Sequence, residues 1–206
     1  MVGRPVTSRD LVLGRLRAAL AADDAAAAPV DVPRDYRQAA AVDLDQLAQR
    51  LTDYRAHVHR VAEAAVADTI ADLLPDGGTV VVPPGLPRAW LPPTVTALPD
   101  DGLDHARIGA ADAVVTAAAV AIAQTGTVVL DASPDQGRRV LSLLPDRHVC
   151  VVRADQVVAT VPEALARLTP HRPLTWISGP SATSDIELIR VEGVHGPRQL
   201  HVILLP

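Results

Sequence analysis

Hydrophobic positions in this chain of 206 residues follow two different spacings. Up to about residue 74 they recur at steps of three and four, the spacing of one helix face. Leu11, Val12, Leu16, Ala19 and Leu20 predict an amphipathic helix over about 8–22. Leu44, Leu47, Leu51, Tyr54, Val58, Val61 and Ala65 predict a long helix, or two nearly coaxial ones, over about 43–74. Residues 23–40 between them are rich in Ala and Asp and contain Pro29 and Pro33, which lack the amide hydrogen a helix uses, so a loose linker is expected. Residues 1–40 are therefore read as an N-terminal helix and linker, and 41–206 as the folded α/β domain.

After Pro75-Asp76-Gly77-Gly78 the pattern changes to short apolar runs bounded by breakers. Residues 79–82 predict a buried strand, stopped by Pro83-Pro84-Gly85. Further strands are predicted at 113–116, 127–130, 148–152, 174–177 and 200–205, with an Ala-rich helix ending near Gln124 and another helix over 162–168. Strands alternating with helices predict an α/β fold: a mostly parallel sheet with helices on both faces, plus the N-terminal helical extension. Ligands on such sheets usually sit beyond the carboxyl ends of the strands, which directs attention to the loops that follow them.

Composition narrows the chemistry. The chain has no Phe and only Trp90, Trp176, Tyr36 and Tyr54 as aromatics, so its core must be built from Val, Leu, Ile and Ala. A net charge of −5 argues against nucleic acid as a partner, because that grip needs a concentrated basic surface. The longest apolar run, 113–123, is about half of the roughly 20 residues a membrane span requires. Arg4, Arg9, Asp10, Arg15 and Arg17 interrupt the N-terminal apolar residues, leaving no secretory core, and a cytoplasmic protein is expected. Cys150, the single cysteine, cannot by itself supply the thiolates of an iron-sulfur cluster. Flanked by Val149 and Val151, it reads as an inert core thiol. His57 and His59, two apart on the predicted long helix, would point in different directions and read as exposed rather than as a metal pair. No metal or other cofactor bound by this chain is expected.

Four segments can carry binding chemistry. In Ser178-Gly179-Pro180-Ser181-Ala182-Thr183-Ser184-Asp185-Ile186-Glu187, a strand runs into a turn and then a predicted short helix, with Ser184 and Glu187 spaced as a capping box. Its hydroxyls and backbone N–H groups suit a carboxylate or phosphate, and helix capping alone also explains the spacing. In Gly193-Val194-His195-Gly196, two glycines bracket an imidazole that can meet an anion or relay a proton, although a structural loop histidine fits equally. Thr125-Gly126-Thr127 forms a small-residue turn before a strand, and a plain turn explains it as well. Arg139, after Gln136-Gly137-Arg138, offers a guanidinium that can grip a carboxylate with two hydrogen bonds, unless it is simply a solvated surface arginine.

Taken together, the segments 121–130, Leu141-Ser142-Leu143-Leu144-Pro145 with His148, 178–187 and 193–197 resemble, in order and separation, the lactate-utilisation protein C family of LUD domains. The resemblance covers residue 80 to the C-terminus. It implies a fold similar to the NagB/RpiA/CoA-transferase group and a cluster-free component of an L-lactate oxidation system whose iron-sulfur partner proteins carry the clusters. Gln124 departs from the family, where the position before Thr125-Gly126 is often acidic, so a carboxylate base there is not expected. The residues leave two other readings open: a stand-alone isomerase-like or transferase-like enzyme, and a non-catalytic regulator or scaffold. The expected site gathers Thr125, Gly126, Thr127, Arg139, Ser178, Gly179, Ser181 and Thr183 around a small anionic ligand, with His195 as the catalytic group.

Overall fold

The computed structural model describes residues 7–21, 31–75, 77–183, 191–192 and 196–206. The chain divides into two compact units, Met1–Tyr36 and Arg37–Pro206. The first contains helix α1 (Ser8–Ala21), in the place the N-terminal periodicity predicts. The Thr7 hydroxyl and amide both donate to the Asp10 carboxylate, which closes the start of the helix. None of its residues is buried.

The second unit runs α2 (Leu44–Asp53), β1 (His57–Arg60), α3 (Val66–Leu73), β2 (Thr79–Val82), β3 (Thr96–Pro99), α4 (His105–Gly109), β4 (Ala113–Ala117), β5 (Val120–Ile122), β6 (Thr127–Leu130), β7 (Arg147–Arg153), β8 (Val157–Val158), α5 (Val161–Arg167), β9 (Thr175–Ile177), β10 (Ala182–Thr183), β11 (Val191–Glu192) and β12 (Gln199–Leu205). Six strands form a wholly parallel sheet in the order β1-β12-β7-β4-β2-β3. A second sheet, β8-β5-β6-β9, is held mainly by antiparallel pairs, and β10 pairs antiparallel with β11.

A parallel sheet must have both faces covered, and the residues alternate accordingly. Ala113, Val115 and Ala117 of β4, with Val149 and Val151 of β7 and Ile203 of β12, pack beneath Val66 and Ile70 of α3 and Trp90. On the other face Cys150, Val152, Leu200, Val202 and Leu204 meet Leu47 and Leu51 of α2 and Ala121, Ala123 and Val128 of the second sheet. Val81 and Val114 on that same face meet Ile108 of α4 and Leu141.

Two predicted elements differ from this architecture. The periodicity over 43–74 does not form one long helix: α2 ends at Asp53, β1 follows, and a 3-10 turn at Glu63–Ala65 leads into α3. Arg55 adopts φ 68°, its amide donates to the Thr52 carbonyl at 2.8 Å, and the Ala56 amide donates to the Leu51 carbonyl at 2.9 Å. This is a left-handed helix stop of the Schellman type, built on an arginine where glycine is usual. His57 and His59 consequently lie on a strand beside His201, with the His57 and His201 rings stacked at 4.7 Å and His59 Nε2 3.2 Å from His201 Nδ1. Of the two, His57 is exposed and His59 half-buried.

The expected Ala-rich helix before Gln124 is instead β4 and β5. Ala117, Ala118, Ala121 and Ala123 are all buried, and close packing of strands overrides the helical preference of alanine.

Two glycines join the second sheet to the end of α2. Gly126 has φ 62°, and a Cβ there would lie 2.6 Å from Arg50 Cβ. Gly179 has φ 89°, and a Cβ there would lie 2.5 Å from the Tyr54 carbonyl oxygen. A Gly179→Ala variant combines a strained backbone with a main-chain overlap, and should lose about 1–3 kcal/mol or more of stability in urea denaturation. An unchanged midpoint would contradict this packing.

Burial also sets the acid stability. It pushes the His148 imidazole down to about 4, and burial with repulsion from His57 and His59 pushes His201 down to about 4. An unfolded histidine titrates near 6.5, so between about pH 6.5 and 4 the unfolded chain binds more protons. Stability should therefore fall as pH drops through this window, and His201→Gln should flatten the profile measured by urea melts from pH 7 to 4.

Candidate functional site

The loop leaving β9, the segment entering β12 and the 3-10 turn at Arg139–Ser142 enclose a cleft of about 290 Å³. Its lining includes Arg139, Ser142, His148, Ser178, Gly179 and Ser181, together with Gly196 and Pro197. The Ser181 amide donates to the Pro197 carbonyl at 2.8 Å, tying the two loops together. Gly196 faces Ser181, where an added Cβ would come within 3.3 Å of Ser181 Cβ.

Of the expected site residues, Arg139, Ser178, Gly179 and Ser181 therefore share one cleft. The Thr125–Thr127 turn reaches it indirectly: the Thr125 and Thr127 hydroxyls are 2.7 Å apart, and the Thr127 and Ser178 hydroxyls are again 2.7 Å apart. This hydroxyl chain holds Ser178 to the start of β6. Gly126 packs on α2 and is not among the lining residues. Thr183 is placed by its backbone, paired with Val191 across β10 and β11. His195 and the expected capping box at Ser184 and Glu187 lie outside the described residues.

The cleft does not sit where parallel sheets usually hold ligands. His148 and Leu200 are the second residues of β7 and β12, and Arg139 and Pro197 precede those strands, so the cleft opens at their amino ends. The carboxyl ends carry a separate crevice of about 510 Å³, lined by Gly85 after β2, Ala118 and Ala119 after β4, Gln156 after β7, and Asp131, Ser133 and Asp135. Gly85 is required there, since a Cβ would come within 2.7 Å of Pro134. Asp131 pairs with Arg172 at 3.3 Å, whereas Asp135 Oδ1 is buried with no hydrogen-bond partner among the described residues. Burial pushes the Asp135 carboxyl above the ordinary aspartate range.

The two cavities differ in charge. The crevice is lined by two carboxyl groups together with Arg167, and the cleft has no carboxyl group among the described residues that line it. Arg138 is committed elsewhere, donating to both Asp100 oxygens at 2.8 and 2.5 Å, and that guanidinium holds the Asp100 carboxyl below its usual range. Arg139 is exposed, and its guanidinium makes no hydrogen bond or ion pair among the described residues. A free guanidinium beside serine hydroxyls suits an anion.

Among the lining residues outside the expected site is a buried histidine. His148 is fully buried, with Nε2 2.8 Å from Thr116 Oγ1 and Nδ1 without a partner among the described residues. Cys150, two residues on, is buried with its thiol pushed up to about 12 by burial, as an inert core cysteine requires.

The sequence matches the LUD domain family over residues 100–205, which include every described cleft residue. Lactate utilization protein C of Deinococcus radiodurans is 52% identical over 167 residues, 79% of this chain and 79% of that protein. The Bacillus subtilis protein of the same name is 36% identical over 99 residues, 44% of this chain and 41% of that protein. The crystal structure of a DUF162 family protein from Deinococcus radiodurans superposes with a TM-score of 0.68 at 43% identity, covering 79% of this chain and 96% of that one. On the family match and the extent of this similarity, the chain belongs to the LUD domain family, alongside proteins named lactate utilization protein C.

Proposed function

We propose that this chain is the cluster-free component of an L-lactate utilisation system that oxidises L-lactate to pyruvate together with iron-sulfur partner proteins in the cytoplasm. The observation that carries this reading is its similarity to Deinococcus radiodurans lactate utilization protein C over most of both chains. Two properties of the chain support it. Among the described residues no helix is long and apolar enough to cross a membrane. The single cysteine lies in the core, so cluster thiolates have to come from other chains.

Within that system, the cleft at the amino ends of β7 and β12 binds the small carboxylate. Arg139 supplies the charge, and Ser178 and Ser181 supply hydroxyls beside the backbone of the Gly179 turn. Binding of a small anion here requires only donors and a cation held in place, which the hydroxyl chain from Thr125 to Ser178 provides for one wall.

Two measurements test the proposal. Deleting the gene, with no paralogue present, should abolish growth on L-lactate and spare growth on pyruvate; normal growth on lactate would remove the idea. With purified protein, L-lactate and pyruvate should raise the thermal midpoint, because a ligand that binds only the folded form stabilises it. Arg139→Gln should lose most of that rise while melting normally without ligand, and an undiminished rise would take the carboxylate away from Arg139.

A further inference from the structure

Three histidines gather at the edge of the parallel sheet, on a strand that continues from the helix supporting one wall of the cleft. We propose that this trio, His57, His59 and His201, is an acid-sensitive latch: when it takes up protons, α2 and β1 release from the sheet edge together and unseat the Gly179 turn.

β1 is an edge strand, paired on one side only, with β12. His57 stands opposite His201 in that ladder, and His59, two residues on, shares its face. The His201 ring, 7% exposed, stacks on His57 at 4.7 Å and on His59 at 5.5 Å, with His59 Nε2 3.2 Å from His201 Nδ1. Neutral rings satisfy that contact, since one nitrogen donates a hydrogen and the other offers a lone pair. With both rings protonated, two N–H groups face each other and the contact becomes repulsive.

The charges that act on His201 among the described residues are all positive: His57, His59 and Arg147. Arg147 comes from β7, where its guanidinium is held by the Gln199 side chain at 2.8 Å and the Leu73 carbonyl at 2.6 Å. On α3, which covers this face, the acidic residues Asp68 and Asp72 are exposed, and Glu63 before it is paired with Arg153. Burial, reinforced by that repulsion, pushes His201 down to about 4, and burial with the charge of His57 also lowers His59. A histidine freed into solvent titrates near 6.5, so falling pH favours the released state.

α2 and β1 form one piece. Only Tyr54, Arg55 and Ala56 separate them, and Arg60 at the end of β1 reaches back to the start of α2, donating to the Leu44 carbonyl at 3.0 Å and pairing with Asp45 at 2.6 Å. At the other end of α2, Tyr54 and Arg50 pack so closely on Gly179 and Gly126 that neither glycine has room for a Cβ. Gly179 belongs to the cleft lining, so release of α2 with β1 removes the support of that wall.

Residue-resolved amide exchange of the intact protein at pH 7, 6 and 5, corrected for the intrinsic pH dependence of exchange, tests the latch. The opening equilibrium of α2 and β1 should rise about twentyfold from pH 7 to 5, the effect of one imidazole that titrates near 6.5 when released and at about 4 in place. The Ser181 amide, which donates to the Pro197 carbonyl across the cleft, should follow with the same pH dependence, while β3 at the opposite edge of the sheet should not. A double variant, His59→Gln with His201→Gln, should lose both responses. If it does not fold, His59→Gln alone, at a half-buried edge position, should weaken them.

An opening of β1 that changes no more than that of β3, or that keeps its full pH dependence in the variants, overturns the latch. An acid response in β1 that Ser181 does not share overturns its connection to the cleft.

Discussion

Everything in the folded unit depends on covering both faces of a six-stranded parallel sheet with aliphatic side chains alone. Without phenylalanine, the chain fills these layers with Val, Leu, Ile and Ala, whose small volumes let strands and helices approach closely. One face is sealed by α3 and Trp90. The other is divided between α2 with the second sheet and the smaller group around Ile108 and Leu141. Val114 belongs to one of these groups and Cys150 to the other, and Thr116 and His148 stand between them. The cleft opens beside His148 and Leu200 on that second face, with the loop after β9 and the segment before β12 completing its lining.

Charge then distinguishes the two concavities. At the carboxyl ends of the strands Asp131 and Asp135 share one crevice with Arg167, and Asp131 is paired with Arg172. At the amino ends of β7 and β12, the Arg139 guanidinium, without an ion pair among the described residues, lines a cleft with serine hydroxyls. A rule derived from open α/β sheets directs attention to the first place, while the side chains favour the second for a carboxylate.

Much of the fold was legible because its strands are short and fenced by breakers. Residues 127–130 between Gly126 and Asp131, and 79–82 between Gly78 and Pro83, could hardly form anything else. What hid β1 was Arg55: an arginine in the left-handed conformation ends α2 where the sequence shows no glycine, and Val58 and Val61 happen to continue the helical spacing. Alanine hid β5, since its helical preference gives no hint of two buried faces. At the site, Ser178, Gly179, Ser181 and Arg139 announced themselves by residue type and turn chemistry. His148 did not, because its strand neighbours read as core. The available signal was the anomaly itself, a polar ring in the apolar run of β7 opposite a strand containing Thr116, which acquires meaning only once the strand register is known.

The most direct test of the account is a crystal structure of the protein with bound L-lactate. The account predicts the carboxylate on the Arg139 guanidinium, beside Ser178 and Ser181. Lactate lodged instead in the crevice of Asp131 and Asp135, with the cleft unchanged, would contradict it.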